Sequence, residues 1–173
     1  MKKIIALALV AAGMASTQAF AQAANTSTDT ANGSVTIIRP LTITKNSDLV
    51  FGRVVQPRTG TGTVSIANNS NAVVVGAGAV ALSGITTSRA VFTVDGEGGQ
   101  VVTVSIPSTF NLTKGVDTIA VTLTPDFGAT VTLSNALAAA GTKVLNVGGN
   151  FNLPTTQASG AYAGTFAVTV TYQ

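Results

Sequence analysis

The last ten residues, Gly164–Gln173, alternate between apolar and small or polar side chains with a period of two. One phase contains Phe166, Val168, Val170 and Tyr172, and the other contains Thr165, Ala167, Thr169 and Thr171. Successive side chains of a strand point to opposite faces, and aromatic and β-branched residues favour strands, so this segment is predicted to be a β-strand. A long apolar strand edge templates association unless it is paired. We therefore expect the end of the chain to lie inside its own sheet or to accept a strand from another chain.

Shorter strand-forming segments follow one another along the rest of the chain, and turn residues separate them. They cover residues 34–44, 49–55, 63–67, 72–75 with 76–82 as its glycine-weakened continuation, 90–94, 100–106, 118–124, 130–133 and 143–153. With the closing strand, the sequence predicts about eight to ten short strands and no long amphipathic helix. This arrangement favours an all-β fold in which antiparallel sheets pack as a β-sandwich.

Local signals predict where these segments are joined or interrupted. The polar stretches 68–71 and 95–99 are expected to be hairpin turns. Pro40 bars a standard central-strand ladder in the first segment, because proline has no backbone N–H. The pair Gly148–Gly149 predicts a bulge or bend in the last segment before the closing strand. Residues 135–140 carry the one predicted helical turn.

The first 21 residues have the pattern of a bacterial export signal. Two lysines start the segment, an apolar stretch follows, and the small residues at 19–21 form the motif that precedes a cleavage site. Cleavage is predicted after Ala21, with Ala23 as the alternative. The apolar stretch is shorter than the roughly 18 residues of a membrane span, so we expect export without stable membrane insertion.

Residues 22–33 are small and polar, and they predict a flexible N-terminal arm before a single domain at 34–173. The chain has no cysteine, so the core of this domain forms without a disulfide. Nine Lys and Arg stand against six Asp and Glu, and loss of Lys2 and Lys3 with the signal leaves a net charge of +1. The remaining cations are scattered singly along the sequence, which argues against a nucleic-acid partner.

The side chains that catalysis uses most are scarce. Without histidine or cysteine the chain lacks the commonest general base and metal ligand and the thiol nucleophile. Asp95 and Glu97 are too few for a calcium site and too close in sequence to flank a sugar, so they are interpreted as solvated turn residues. The glycine-rich stretches match no phosphate-binding loop. We expect neither an enzyme nor a cofactor-binding protein.

Two stretches together resemble known families. Residues 40–52 read P-L-T-I-T-K-N-S-D-L-V-F-G, and residues 160–172 read G-x-Y-x-G-T-F-x-V-T-V-T-Y. The mature chain resembles small exported bacterial proteins known as domain of unknown function 4402. Through the D-L-x-F-G motif and the final strand, it is also similar to spore-coat-U-type and chaperone–usher fimbrial subunits. Leu41 stands where the spore-coat-type pattern has a cysteine.

The fimbrial resemblance implies an immunoglobulin-like sandwich that lacks its last strand. A periplasmic chaperone would fill the gap first, and the N-terminal arm of the next subunit would replace it at an outer-membrane usher. The acceptor groove would be lined by Phe166, Val168, Val170 and Tyr172, and the donor segment would contain Gly33, Val35 and Ile37. Copies joined head to tail would form a filament on the cell surface or outside the cell.

Two functions of different class remain open from the sequence. The first is an exported structural subunit of a surface filament or coat. The second is a closed secreted sandwich that binds a protein or glycan partner through its loops, where Tyr162 is the one aromatic candidate. In the second case residues 34–43 would be the first strand of the domain's own sheet.

Overall fold

A computed structural model describes residues 25–173, so the predicted signal segment and both cleavage positions lie outside the described residues. The described residues contain twelve strands and no helix. The strands are β1 (Thr42–Ser47), β2 (Val54–Val55), β3 (Thr61–Ile66), β4 (Val73–Gly76), β5 (Val80–Ala81), β6 (Ala90–Glu97), β7 (Val101–Ser105), β8 (Thr109–Lys114), β9 (Asp117–Pro125), β10 (Thr130–Thr132), β11 (Ala140–Pro154) and β12 (Thr169–Tyr172). Among these residues, none forms a helix long and apolar enough to cross a membrane.

All of these strands lie in residues 36–173, which form one compact unit. A seven-stranded sheet has the order β1-β6-β11-β3-β4, with β9 also paired to β11 and β8 paired to β9. A three-stranded sheet has the order β10-β7-β12, and β2 pairs with β5. Every pairing is antiparallel, so the predicted all-β antiparallel fold, consistent with a β-sandwich, is confirmed. The strands are more numerous than predicted because several are short.

Strand β11 organises the larger sheet, and the predicted interruption at Gly148–Gly149 is wrong. The strand runs unbroken over fifteen residues. Val147 pairs with both β6 and β9, and Asn150 pairs with both β3 and β9, so β6 and β3 follow one another along the edge opposite β9. A Cβ at Gly148 would contact the carbonyl oxygen of Ile66 and lie 2.6 Å from the Asn68 nitrogen. The glycine is needed for this close approach of backbones and does not end the strand.

The hairpin predictions had mixed outcomes. The polar stretch 68–71 joins the paired strands β3 and β4, as expected. The stretch 95–99 does not form a hairpin, because β6 and β7 belong to different sheets and the chain crosses between them there. The predicted helical turn at 135–140 is also wrong, since these residues form turns and the start of β11. The strand β8, which pairs with β9, was not foreseen.

Buried side chains from both sheets form the core. Val94 and Leu145 from the larger sheet pack with Val102 and Val104 from the smaller sheet. Partly buried side chains of β1, of β12 and of the residue before β12 pack against this cluster, including Ile43, Val168, Val170 and Tyr172. A second cluster is centred on Phe51, Val64, Val121 and Phe151. The first cluster therefore connects the strand that begins the domain with the strand that ends it.

Candidate strand-acceptor site

Strand β12 lies at one edge of the three-stranded sheet and pairs only with β7 among the described residues. Thr169 lies opposite Ser105 and Thr171 lies opposite Thr103. The backbone N–H of Gln173 donates to the carbonyl of Val101 at 3.2 Å. Successive backbone groups of a strand point to opposite edges, so Thr169, Thr171 and Gln173 face β7. The backbone N–H and C=O groups of Val170 and Tyr172 consequently point to the open edge.

The four predicted acceptor side chains share one face, as their spacing requires. Phe166, Val168, Val170 and Tyr172 are half-buried, whereas the alternate residues 165, 167, 169 and 171 are exposed. The ring of Phe166 lies 5.0 Å from that of Phe110 and 6.2 Å from that of Phe92. The strand itself begins at Thr169, later than predicted, and residues 164–168 leading to it carry no strand pairing. The four side chains are thus packed against the domain, while the edge of β12 that faces away from β7 is available to pair with another strand.

The predicted donor residues lie outside the sheets. Residues 25–41 contain no strand, and the strand expected over 34–44 begins only at Thr42, after Pro40. Val35 is 83% exposed and Ile37 is 86% exposed, and Gly33 has nothing within 4 Å of where a Cβ would stand. Of residues 34–43, only Thr42 and Ile43 belong to the first strand of the domain's own sheet, as the start of β1, and residues 34–41 form no strand.

A hydrogen-bonded cluster joins the root of the N-terminal segment to the end of β12. Glu97 is 2% exposed and is the buried charged residue of the described chain. Its Oε2 accepts from the backbone N–H of Arg39 at 3.2 Å and from the Arg39 guanidinium at 3.1 Å. Its Oε1 accepts from the backbone N–H of Ala138. The interpretation of Glu97 as a solvated turn residue is wrong, because Arg39 approaches from a distant part of the chain.

Tyr172 completes this cluster. Its hydroxyl accepts from the backbone N–H of Glu97 at 2.8 Å and donates to the carbonyl of Arg39 at 2.9 Å. A Cβ at Gly96 would collide with the Tyr172 hydroxyl and lie 2.9 Å from a methyl group of Leu133. Only glycine at this position leaves room for the tyrosine ring. The glycines around Glu97 reflect close packing and not the hairpin turn predicted from the sequence.

The environment of Glu97 lowers the pKa of its carboxyl below the ordinary value. Burial acts in the opposite direction, because it disfavours the charged form. Hydrogen bonds from the backbone of Arg39 and Ala138, together with the positive charge of Arg39, outweigh burial and stabilise the carboxylate. Glu97 therefore acts as an anionic anchor for the residues that precede β1.

The other acidic and aromatic candidates take structural positions. Asp95 is exposed and does not share the surroundings of Glu97. Within residues 25–173, no three acidic residues cluster in a way that could hold a metal ion. Tyr162 is half-buried, and its hydroxyl donates to the Ala158 carbonyl at 2.7 Å and accepts from Gln157 at 2.7 Å. Tyr162 thus stabilises its own loop through these two hydrogen bonds and is not an exposed aromatic side chain available to a protein or glycan partner.

A protein-family model described as Domain of unknown function (DUF4402) matches residues 41–172. The match covers all twelve strands and ends at Tyr172. No curated protein and no solved structure matches the chain.

Proposed function

Since the chain belongs to the DUF4402 family, whose description assigns no activity, we propose from the geometry of its two ends that it is a structural subunit of a surface filament or coat. Each subunit would accept at β12 the N-terminal segment of another copy. The observation that carries this proposal is that β12 pairs with β7 along one edge and that no strand of residues 25–173 pairs with its other edge, while its apolar side chains are packed.

The open edge offers both parts of strand recognition. Main-chain groups of Val170 and Tyr172 supply the hydrogen bonds, and alternate side-chain positions select the register. An unpaired strand edge of this kind is a liability in an exported protein unless a partner covers it. A segment of another copy is a suitable partner, because it adds a strand without changing the packed face.

The N-terminal segment supplies the complementary chemistry. Gly33, Val35 and Ile37 lie in one phase of an extended chain, with a glycine followed by two β-branched residues. Their exposure is costly in water, and burial of the two apolar side chains would stabilise an assembly by roughly 1.5–3 kcal/mol each. A contact between different surfaces of two copies does not close into a ring in general, so it favours a filament.

Export, a periplasmic chaperone and an outer-membrane usher complete the proposal. An open edge must be covered before assembly, since exposed edges aggregate. A chaperone that lends a strand during transit through the periplasm would serve this purpose, and an usher would exchange it for the next subunit. The location of the assembled protein would be the cell surface or the extracellular medium.

Hydrogen exchange tests the acceptor edge at single residues. The variant lacking residues 22–38 is purified as a monomer, and a peptide of residues 31–38 is added. We expect the amides of Val170 and Tyr172 to exchange quickly in the free variant and to be protected by the peptide. The amides of Thr169 and Thr171 face β7 and serve as internal controls that are protected in both states.

Substitution tests the donor. We expect Ile37→Asn in the full mature chain to abolish detergent-resistant ladders of copies, because an amide would enter an apolar site. Val116→Asn is the matched control, since Val116 is 98% exposed on the β8–β9 turn. A mature chain that stays a monodisperse monomer at high concentration without a chaperone, or a peptide that protects neither edge amide, would refute the proposal.

A further inference from the structure

A second feature lies away from the open edge of β12. A groove of about 970 Å³ is formed between residues 49–56, the ends of β8 and β11, and the loop 157–164. Its floor consists of the apolar side chains of Phe51, Ile119, Phe151 and Leu153. Phe51 and Phe151 meet edge to face, with ring centroids 5.0 Å apart. The size and apolar floor are typical of small-molecule sites, which measure about 300–1,000 Å³.

The rim of the groove is also apolar. Val50, Val55, Leu82 and Ile85 line it and belong to the exposed large hydrophobic residues of the domain. Single exposed aliphatic residues are ordinary, but a group of them around one concave surface marks a binding site. A ligand with a long apolar part would cover this rim and gain the free energy of its burial.

One cation in the lining of the groove, Arg53, has no ion-pair partner among the described residues. Arg53 lines the groove and is exposed, and none of the ion pairs within residues 25–173 involves it. The neighbouring Lys114 is occupied, because its Nζ donates to the Ser159 carbonyl at 2.7 Å and pairs with Asp117 at 3.2 Å. The planar guanidinium of an arginine is suited to bind a carboxylate through two parallel hydrogen bonds.

Internal bonds hold the walls in place. The side-chain amide of Gln56 donates to the Gln157 carbonyl, and Gln157 donates to the hydroxyl of Tyr162. The first bond connects residues 49–56 with the loop 157–164, and the second lies within that loop. The side-chain amides of Gln56 and Gln157 are therefore engaged within the protein, and the guanidinium of Arg53 is left for a ligand.

We infer that this groove binds a long-chain carboxylate. The aliphatic chain would lie on the floor between the two walls, and the carboxylate would pair with Arg53. The inference is independent of strand donation, because the groove residues are distinct from Val168, Val170 and Tyr172.

The test uses dodecanoate below its aggregation concentration, with dodecanol as the uncharged comparison. Binding is followed by calorimetry and by methyl NMR of Leu82, Ile85 and Leu153. We expect saturable binding of dodecanoate, with methyl shifts at these three residues. Arg53→Gln should weaken dodecanoate about tenfold and leave dodecanol unchanged, since a charge-assisted bond is lost. Arg58→Gln, at an exposed arginine outside the groove, should change neither.

A second variant separates the apolar contacts from the charge. Ala161→Phe adds volume to the exposed wall and should weaken both ligands. The inference is overturned if dodecanoate does not bind, if Arg53→Gln and Arg58→Gln behave alike, or if the methyl shifts lie elsewhere. It is also overturned if the 31–38 peptide, and not dodecanoate, shifts the groove methyl groups. Failure of strand donation would leave the dodecanoate result unaffected.

Discussion

Strands β11 and β12 are both built from alternating side chains, but they differ in how their edges are used. β11 is paired on one edge with β6 and then β3, and on the other edge with β9. β12 pairs with β7 on one edge, and no strand of residues 25–173 pairs with the other. Leu145 of β11 is fully buried, whereas Val170 of β12 is half-buried. The alternation of a strand thus determines its faces and leaves its edges undecided.

The difference in edge pairing between β11 and β12 also means that the two strands contribute differently to the stability of the monomer and to its assembly. A strand paired on both edges contributes its burial to the fold of the monomer, and its backbone has nothing left to offer a partner. A strand paired on one edge contributes less to the monomer and retains hydrogen-bonding groups for another chain. Substitutions in β11 should therefore act on unfolding, and those in β12 should act on both unfolding and association.

The largest effect is expected at Leu145. Leu145→Ala removes a fully buried side chain between the two sheets and should lower the free energy of unfolding by about 2–5 kcal/mol. Val170→Ala, at a half-buried position, should cost less than about 2 kcal/mol. Urea denaturation of the variant lacking residues 22–38 measures both without association. Equal losses at the two positions would show that β12 is as fully covered as β11.

The next effect is expected at the end of β12, through Gly96. Gly96→Ala places a methyl group where the Tyr172 hydroxyl lies and should lower the free energy of unfolding by about 1–3 kcal/mol. Gly128→Ala is the matched control, because no atom lies within 4 Å of its added Cβ. Gly128→Ala should change the free energy of unfolding by less than about 1 kcal/mol. A neutral Gly96→Ala variant would mean that Tyr172 is not held against β6.

Tyr172→Phe should have a smaller effect. The variant keeps the ring but leaves the Glu97 N–H and the Arg39 carbonyl without their bonds to the hydroxyl. We expect a loss of about 1–2 kcal/mol and faster hydrogen exchange at the Glu97 amide. Thr171→Val is the control on the same strand, since Thr171 is exposed and should change the stability by less than about 0.5 kcal/mol. Unchanged exchange at Glu97 would contradict the expected coupling of β12 to β6.

The smallest effect is expected from pH. Because the folded-state pKa of Glu97 lies below its ordinary 4.5, its carboxylate stabilises the fold above that pH. This stability is lost as the pH falls through the lowered pKa. The difference in unfolding free energy between the natural protein and Glu97→Gln should therefore shrink as the pH falls from neutral to below the lowered pKa. A difference that stays constant as the pH falls would contradict the stabilising role of the Glu97 carboxylate.

Local chemistry in the sequence was sufficient for several elements. The two-residue period predicted the faces of β12, and the polar stretch 68–71 predicted the β3–β4 hairpin correctly. Each of these features depends on residues within a few positions of one another. The alternation also placed Phe166, Val168, Val170 and Tyr172 on one face, because side-chain direction in a strand is a property of the backbone itself.

Other features depended on parts of the chain that are far apart in sequence. The glycines near Glu97 and at Gly148 resemble turn signals, but they are required where a distant backbone or ring approaches closely. Glu97 is buried because Arg39, which is 58 positions away, satisfies its charge. Likewise, only the packing of two sheets determined that one edge of β12 stays open. Hydrogen bonds between strands join residues that are distant in sequence, so the tertiary structure determines which strand pairs with each edge. The local sequence determines which side chains lie on each face of a strand.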